Sequence, residues 1–176
     1  MIVSKAVIAA VIVLGLGAAG VAVQHGVFSG GKPGDGAGET MPPGRIAVTI
    51  AGVNGRHVFA AERAVSPAEQ ENGLMYRTDL KPDGGMLFWP YPAGGGAPQV
   101  ANFWMKNTPT PLDIVFIRPD RTIARIAENT PPFSEAPVTS GEPVGAVLEI
   151  VGGRAAELGL AEGDTVSWNE HGAAAK

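Results

Sequence analysis

Glycine and proline recur so closely along this chain that turns and short strands are favoured over long helices. There are 25 glycines and 15 prolines among 176 residues. Both residues weaken helix interiors and favour turns. Apolar alternation between these turns predicts seven or eight short strands and two short helices. We therefore expect a mostly β, α+β domain in which a strongly curled sheet or small barrel hides the strand edges.

Local signals place several of these elements. Asn54-Gly55 is typical of a tight hairpin between two strands. Ser66 to Glu69 has the pattern of a capping box, which begins a short helix that Gly73 would end. A central strand is predicted over residues 144–151 from its apolar density, and a second short helix over residues 154–158.

The N-terminal part predicts export. Residues 6–23 follow Lys5 and carry no charge. This uncharged run has about the shortest length that crosses a bilayer. It is either an uncleaved inner-membrane anchor with the domain facing the periplasm, or a signal peptide whose removal leaves a secreted or periplasmic protein. Residues 24–44 are predicted to be a flexible linker rich in glycine and proline, residues 45–168 the globular domain, and residues 169–176 a disordered tail.

Composition excludes several classes of site. The chain has no cysteine, which rules out disulfides and thiol nucleophiles. Its three histidines are far apart in sequence and lack metal-ligand spacing, so we expect no metal and no other cofactor. A net charge of −4 gives no reason to expect a nucleic-acid partner. We expect a monomer whose partners are a small ligand or an envelope protein, with the membrane reached through the N-terminal segment.

Four motifs in a fixed order resemble one known family, called domain of unknown function 192. The resemblance covers about residues 58–168 and implies a small, mainly β domain, often placed behind a signal or membrane segment, with no established activity. The motifs are Gly73-Leu74-Met75-Tyr76-Arg77, Gly85-Met86-Leu87-Phe88, Phe103-Trp104-Met105-Lys106-Asn107-Thr108 with Pro111-Leu112-Asp113, and Val147-Leu148-Glu149-Ile150.

A polar group inside the most apolar stretch marks a candidate site. Lys106 and Asp113 flank a short proline-rich link, and a carboxylate there is costly to bury unpaired. We expect Asp113 to pair with Lys106 or Arg77. Such a pair could simply fix the strand register. Alternatively it forms the rim of a pocket for a small anionic or sugar-like ligand. The predicted ligand-binding residues are Arg77, Trp104, Lys106, Asn107 and Asp113.

Two weaker patterns lie near the C-terminal end. Gly152-Gly153-Arg154 precedes the second helix and resembles an anion cradle at a helix N-terminus, although close packing of helix on strand explains the glycines equally well. Glu149 lies among apolar residues, so it should face solvent or pair with a base. A role for it as a general acid is the less favoured reading.

The functional hypothesis is an exported or membrane-tethered domain that binds a small ligand or an envelope partner, and a non-enzymatic role is favoured. One alternative is an envelope hydrolase or lyase that uses Asp113 and Lys106 as an acid-base pair. Another is a purely structural accessory domain.

Overall fold

The computed structural model of the chain describes residues 41–169, which lie within the compact unit Glu39–Lys176. The expected anchor or signal at residues 1–23, nearly all of the linker and most of the tail lie outside the described residues. Within residues 41–169, no helix is both long enough and apolar enough to cross a bilayer.

Nine strands and two short helices make up the described chain, which confirms the mostly β, α+β class. In order they are β1 (Ile46–Gly52), β2 (Gly55–Ala64), α1 (Pro67–Asn72), β3 (Gly84–Phe88), β4 (Gln99–Phe103), β5 (Leu112–Ile117), β6 (Ile123–Thr130), β7 (Val138–Val144), β8 (Ala146–Val151), α2 (Arg154–Leu158) and β9 (Thr165–Trp168).

Seven of the strands form one strongly curled sheet in the order β6-β5-β8-β3-β2-β1-β9. β2 and β3 are parallel and are joined through α1, whereas the other neighbours in this sheet are antiparallel. The two outer strands approach each other through a bridge between Thr122 and Thr165. This curl hides most of the sheet edge, as the many short strands predict. β4 and β7 form a separate two-stranded sheet.

The curled sheet has apolar side chains on both faces. Along β8, Leu148 belongs to one buried cluster and Val147 to the other. Successive residues of a strand point to opposite faces, so this alternation shows that the centre of the sheet is covered on both sides. Any polar side chain on β8 must therefore lie inside the domain.

The start of α1 follows the sequence closely. Ser66 Oγ accepts a hydrogen bond from the Glu69 backbone at 3.3 Å, and Glu69 Oε2 accepts one from the Ser66 backbone at 2.8 Å. Together they form the predicted capping box. The predicted first hairpin is also present, but its two loop residues are Val53-Asn54, one position before the expected Asn54-Gly55, and Gly55 is the first residue of β2 with φ +117°.

The sequence predicts that Lys106 and Asp113 lie at the two ends of one tight connection, within reach of each other. The strand pairing of β4 differs from this expectation. β4 pairs with β7, and β5 pairs with β6 and β8 in the other sheet. The link between β4 and β5 therefore joins two different sheets. This placement decides which of the predicted site residues lie together.

Candidate functional site

A cavity of about 360 Å³ opens between the end of α1, strand β4 and the central strand β8. Its volume lies in the range of about 300–1,000 Å³ that is common for small-molecule sites. It is lined by Gln70, Glu71, Asn72, Gly73, Leu74, Met75, Phe88, Tyr91, Asn102, Phe103, Trp104, Thr108 and Glu149.

Glu149 reaches this cavity from the centre of the curled sheet. It lies on β8 between Met86 of β3 and Ile114 of β5, and it is only 4% exposed. Its Oε2 has no hydrogen-bond partner among the described residues. Burial in these surroundings raises the pKa of Glu149 to about 8. The carboxyl group is therefore mostly protonated near neutral pH and can donate one hydrogen bond as well as accept.

The expectation that Glu149 faces solvent or pairs with a base is wrong. β8 is covered on both faces, so neither side of the strand offers solvent. The signal was present in the sequence, because a glutamate inside the apolar run Val147-Leu148-Glu149-Ile150 of a central strand must be buried. A carboxyl buried with neither a basic partner nor hydrogen-bond donors to its charged form stays neutral, and such groups cluster at functional sites.

Gly73 brings the end of α1 directly over this carboxyl. A β-carbon built on Gly73 would lie 3.3 Å from Phe88 Cζ and 3.8 Å from Glu149 Oε2. The backbone there has φ +48°, which a residue with a side chain rarely adopts. Glycine at this position therefore allows both the turn that ends α1 and the open space above Glu149.

Aromatic rings form much of the cavity wall. Phe103 packs edge-on against Phe88, with ring centroids 5.0 Å apart, and its centroid lies 5.9 Å from that of Tyr91. Burial raises the pKa of the Tyr91 hydroxyl, so it stays protonated near neutral pH. Trp104 is 45% exposed and presents its indole at the edge of the cavity. A ligand would meet apolar ring faces on this side.

Amides and carboxyls supply the polar part of the lining. Gln70 Nε2 donates to the carbonyls of Ala64 and Pro90 at 3.0 and 2.8 Å, which fixes the amide and leaves its oxygen as the group that can accept from a ligand. The side chains of Asn72 and Asn102 add further hydrogen-bonding groups. Neither lysine nor arginine is among the lining residues.

Trp104 also lines two neighbouring concavities. One, of about 410 Å³, includes Tyr76, Lys106 and Asn107, and shares Glu71, Asn72 and Met75 with the first cavity. The other is smaller, about 140 Å³, and includes Glu135 and Pro137. Trp104 is thus part of the lining of all three concavities.

Three of the five predicted ligand-binding residues meet here: Trp104, Lys106 and Asn107. Lys106 Nζ lies 4.9 Å from the centroid of the Trp104 ring, which is a cation–π distance. The Asn107 carbonyl accepts a hydrogen bond from the Tyr76 backbone at 2.8 Å, which ties this loop to the chain after α1. Asn107 also has a positive φ of 55°.

Arg77 lies outside the three concavities. Its guanidinium donates two hydrogen bonds of 3.1 Å to the carboxylate of Glu62 and two, of 2.7 and 3.2 Å, to the carboxylate of Asp79. These two acidic partners raise the pKa of Arg77 further above its usual value. The expected pairing of Arg77 with Asp113 is therefore wrong, since both acidic groups that the guanidinium contacts are closer in the fold.

Asp113 is sealed inside the domain, with 0% exposure. Its Oδ1 accepts from the backbones of Asn129 at 2.6 Å and Gly153 at 2.9 Å, and its Oδ2 accepts from the backbone of Ala155 at 2.7 Å. The expected pairing with Lys106 is wrong, because backbone N–H groups satisfy the carboxylate instead. Asp113 lines none of the three concavities, so it does not belong to the same site as Trp104, Lys106 and Asn107.

The glycine motif before α2 does hold an anion, and that anion is the carboxylate of Asp113. Gly153 and Ala155 supply two of its three backbone hydrogen bonds. Gly152 is also closely packed, since a β-carbon there would lie 2.8 Å from Asn129 Oδ1 and 2.9 Å from the carbonyl carbon of Pro111. The anion-cradle explanation therefore applies to Gly153, whereas Gly152 is packed against Pro111 and Asn129 rather than between a helix and a strand.

Metal-binding geometry is not found within residues 41–169. No three histidine or acidic side chains there are arranged so that they could hold a metal ion.

The fold and the sequence define the family. The profile of DUF192, described as an uncharacterised ACR, matches residues 48–168. The chain belongs to this family, which confirms the resemblance seen in the four motifs. No curated protein matches the chain.

Two solved structures are similar to the chain. One is a protein of unknown function from Novosphingobium aromaticivorans, with 43% identity and a TM-score of 0.69, over 79% of this chain and 100% of that one. The other, from Sinorhizobium meliloti, is described as a "putative transcription regulator" and has 42% identity and a TM-score of 0.65, over 70% of this chain and 93% of that one.

Proposed function

We propose that this domain binds a sugar-like ligand through an uncharged ring held in the cavity beneath α1, with the neutral carboxyl of Glu149 as a hydrogen-bonding group at its base. The observation that carries the proposal is a 4% exposed glutamate, without a basic partner among the described residues, that lines an open cavity.

The lining matches the two-sided character of a sugar ring. A pyranose has apolar C–H faces and a rim of hydroxyl groups, so it needs flat apolar contacts and groups that both donate and accept. Trp104 and Tyr91 offer the aromatic contacts. Gln70, Asn102 and protonated Glu149 offer the hydrogen bonds.

An anionic ligand is a poorer match to this cavity. No cation lines it, and two carboxyl side chains, Glu71 and Glu149, do. A buried anion beside Glu149 would find no compensating charge, which is costly in a region of low dielectric.

The hydrolase or lyase alternative requires Asp113 and Lys106 to act together as an acid-base pair, and their positions do not support this. Asp113 is sealed behind three backbone hydrogen bonds and lies apart from Lys106. Binding without turnover is therefore the function we propose.

We further propose that binding takes place outside the cytoplasm. The support is the uncharged run of residues 6–23 after Lys5. A role like that suggested by the description of the Sinorhizobium meliloti protein is not favoured, because a net charge of −4 provides no attraction for nucleic acid.

The test is direct binding to a panel of neutral mono- and disaccharides. The full-length chain is purified in a detergent without a sugar headgroup, so that the detergent cannot compete. Trp104→Ala should weaken binding about ten-fold through loss of the ring contact. Phe133→Ala is the matched control, because Phe133 is a 62% exposed aromatic residue that lines none of the three concavities.

A second pair of variants separates hydrogen bonding from charge. Glu149→Gln keeps an uncharged donor and acceptor and should retain binding, whereas Glu149→Leu removes both and should abolish it. Absence of binding to every saccharide in the panel, or equal losses in Trp104→Ala and Phe133→Ala, would overturn the proposal.

A further inference from the structure

The wall that Trp104 forms is shared between two cavities of different chemistry. The first, above Glu149, contains no cation, and the second, of about 410 Å³, contains Lys106. Glu71, Asn72 and Met75 also line both. A ligand longer than one ring can therefore extend from the first cavity into the second along the indole.

Lys106 supplies a cation that no carboxylate neutralises within the described part of the chain. None of the ion pairs formed between residues 41–169 includes Lys106. Its ammonium group lies 4.9 Å from the centroid of the Trp104 ring, which holds it beside the wall that the two cavities share. An ammonium in this position can bind a carboxylate of the ligand by a charge-assisted hydrogen bond.

The second cavity also contains a group for the uncharged part of such a ligand. Glu71 lies on the α1 side and accepts hydrogen bonds from hydroxyl or amide N–H groups. Lys106 and Asn107 come instead from the loop after β4. The negative and positive groups are thus contributed by different elements, and one sugar ring with a single carboxylate can satisfy both.

We infer that the natural ligand is an acidic oligosaccharide, with an uncharged sugar above Glu149 and a carboxylate-bearing sugar beside Lys106. This inference rests on the proposed function, since it extends the same site by a second subsite. It also accounts for both ligand types that the sequence predicts, anionic and sugar-like, because each of them fits one of the two cavities.

The test uses matched pairs of soluble disaccharides. Each pair consists of a neutral disaccharide and its counterpart in which one ring is the corresponding uronic acid. Binding to the full-length chain is measured in the same detergent at low salt. The acidic member should bind about five-fold more tightly, which is the scale of a partly exposed ion pair. The preference should fall as sodium chloride is raised, whereas binding of the neutral member should not change.

Lys106→Gln should remove the preference, so that the acidic member binds no more tightly than the neutral member of the same pair. Lys81→Gln is the control, because Lys81 is exposed and lines none of the three concavities. Lys106→Arg should retain the preference.

The outcomes separate the two proposals. Equal binding of neutral and acidic members, or a preference that survives in Lys106→Gln, would overturn the second subsite and leave the proposed function intact. No binding of either member by the wild-type chain would overturn both.

Discussion

The turn that ends α1 at Gly73 lies directly above the carboxyl of Glu149, so close that a β-carbon at position 73 would be 3.8 Å from Oε2. A helix end and a central strand thus enclose one uncharged acid at the base of an open cavity. The predictions below follow from this relationship and from the burial of Asp113.

The first prediction concerns the pH dependence of stability. Folding raises the pKa of Glu149 from 4.5 to about 8, so the folded chain holds a proton that the unfolded chain releases. The free energy of unfolding should therefore fall by about 1.4 kcal/mol per pH unit between these two values, with no further loss above about 8. Glu149→Gln should remove this decline, as measured by urea denaturation across the pH range.

A matched control for that experiment is Glu71→Gln, which removes an exposed carboxyl from the same cavity. It should keep the wild-type pH profile. A Glu149→Gln profile that declines as steeply as the wild type would show that Glu149 is not the group responsible.

The second prediction concerns Gly73→Ala. A side chain at φ +48° costs about 1–2 kcal/mol of stability, and the added methyl group would also narrow the cavity against Phe88. Gly141→Ala carries a similar backbone cost at φ +76°, with no atom within 4 Å of the new methyl group. Both variants should lose stability in thermal melts, but only Gly73→Ala should weaken saccharide binding. Equal binding by the two variants would show that the space above Glu149 is not used.

The third prediction concerns Asp113→Asn. The new amide group would place N–H donors against one or more of the three backbone N–H groups that the carboxylate now satisfies. We expect a loss of about 2–4 kcal/mol in the free energy of unfolding. Asp120→Asn, at an exposed turn where Asp120 accepts hydrogen bonds from the backbone and hydroxyl group of Thr122, should cost less than about 1 kcal/mol. Similar small losses in both variants would contradict the structural role assigned to Asp113.

Much of the fold was predictable because its signals are local. The capping box of Ser66 and Glu69 needs only neighbouring residues, and so does the turn at Gly73. β7 was missed because Gly141 and Pro143 occur in it, and both residues are depleted in strands. The partner of β4 was not predictable from the link between residues 106 and 113, because strand pairing across two sheets depends on distant segments.

The site was predictable only in part, for the same reason. Trp104, Lys106 and Asn107 lie on one continuous stretch, and they do line one concavity. Asp113 had to be assigned a partner, and nearness in sequence suggested Lys106, whereas its true partners come from residues 129, 153 and 155. Backbone N–H groups give no sequence signal of their own, which is why the side-chain pairing was preferred.

The most direct test of the central claim is the titration of the Glu149 carboxyl itself, followed by carboxyl ¹³C NMR and assigned by its loss in Glu149→Gln. The account predicts a midpoint of about 8 and a shift of this signal when a saccharide that binds is added. A midpoint near the ordinary glutamate value, or a signal that saccharide leaves unchanged, would contradict it.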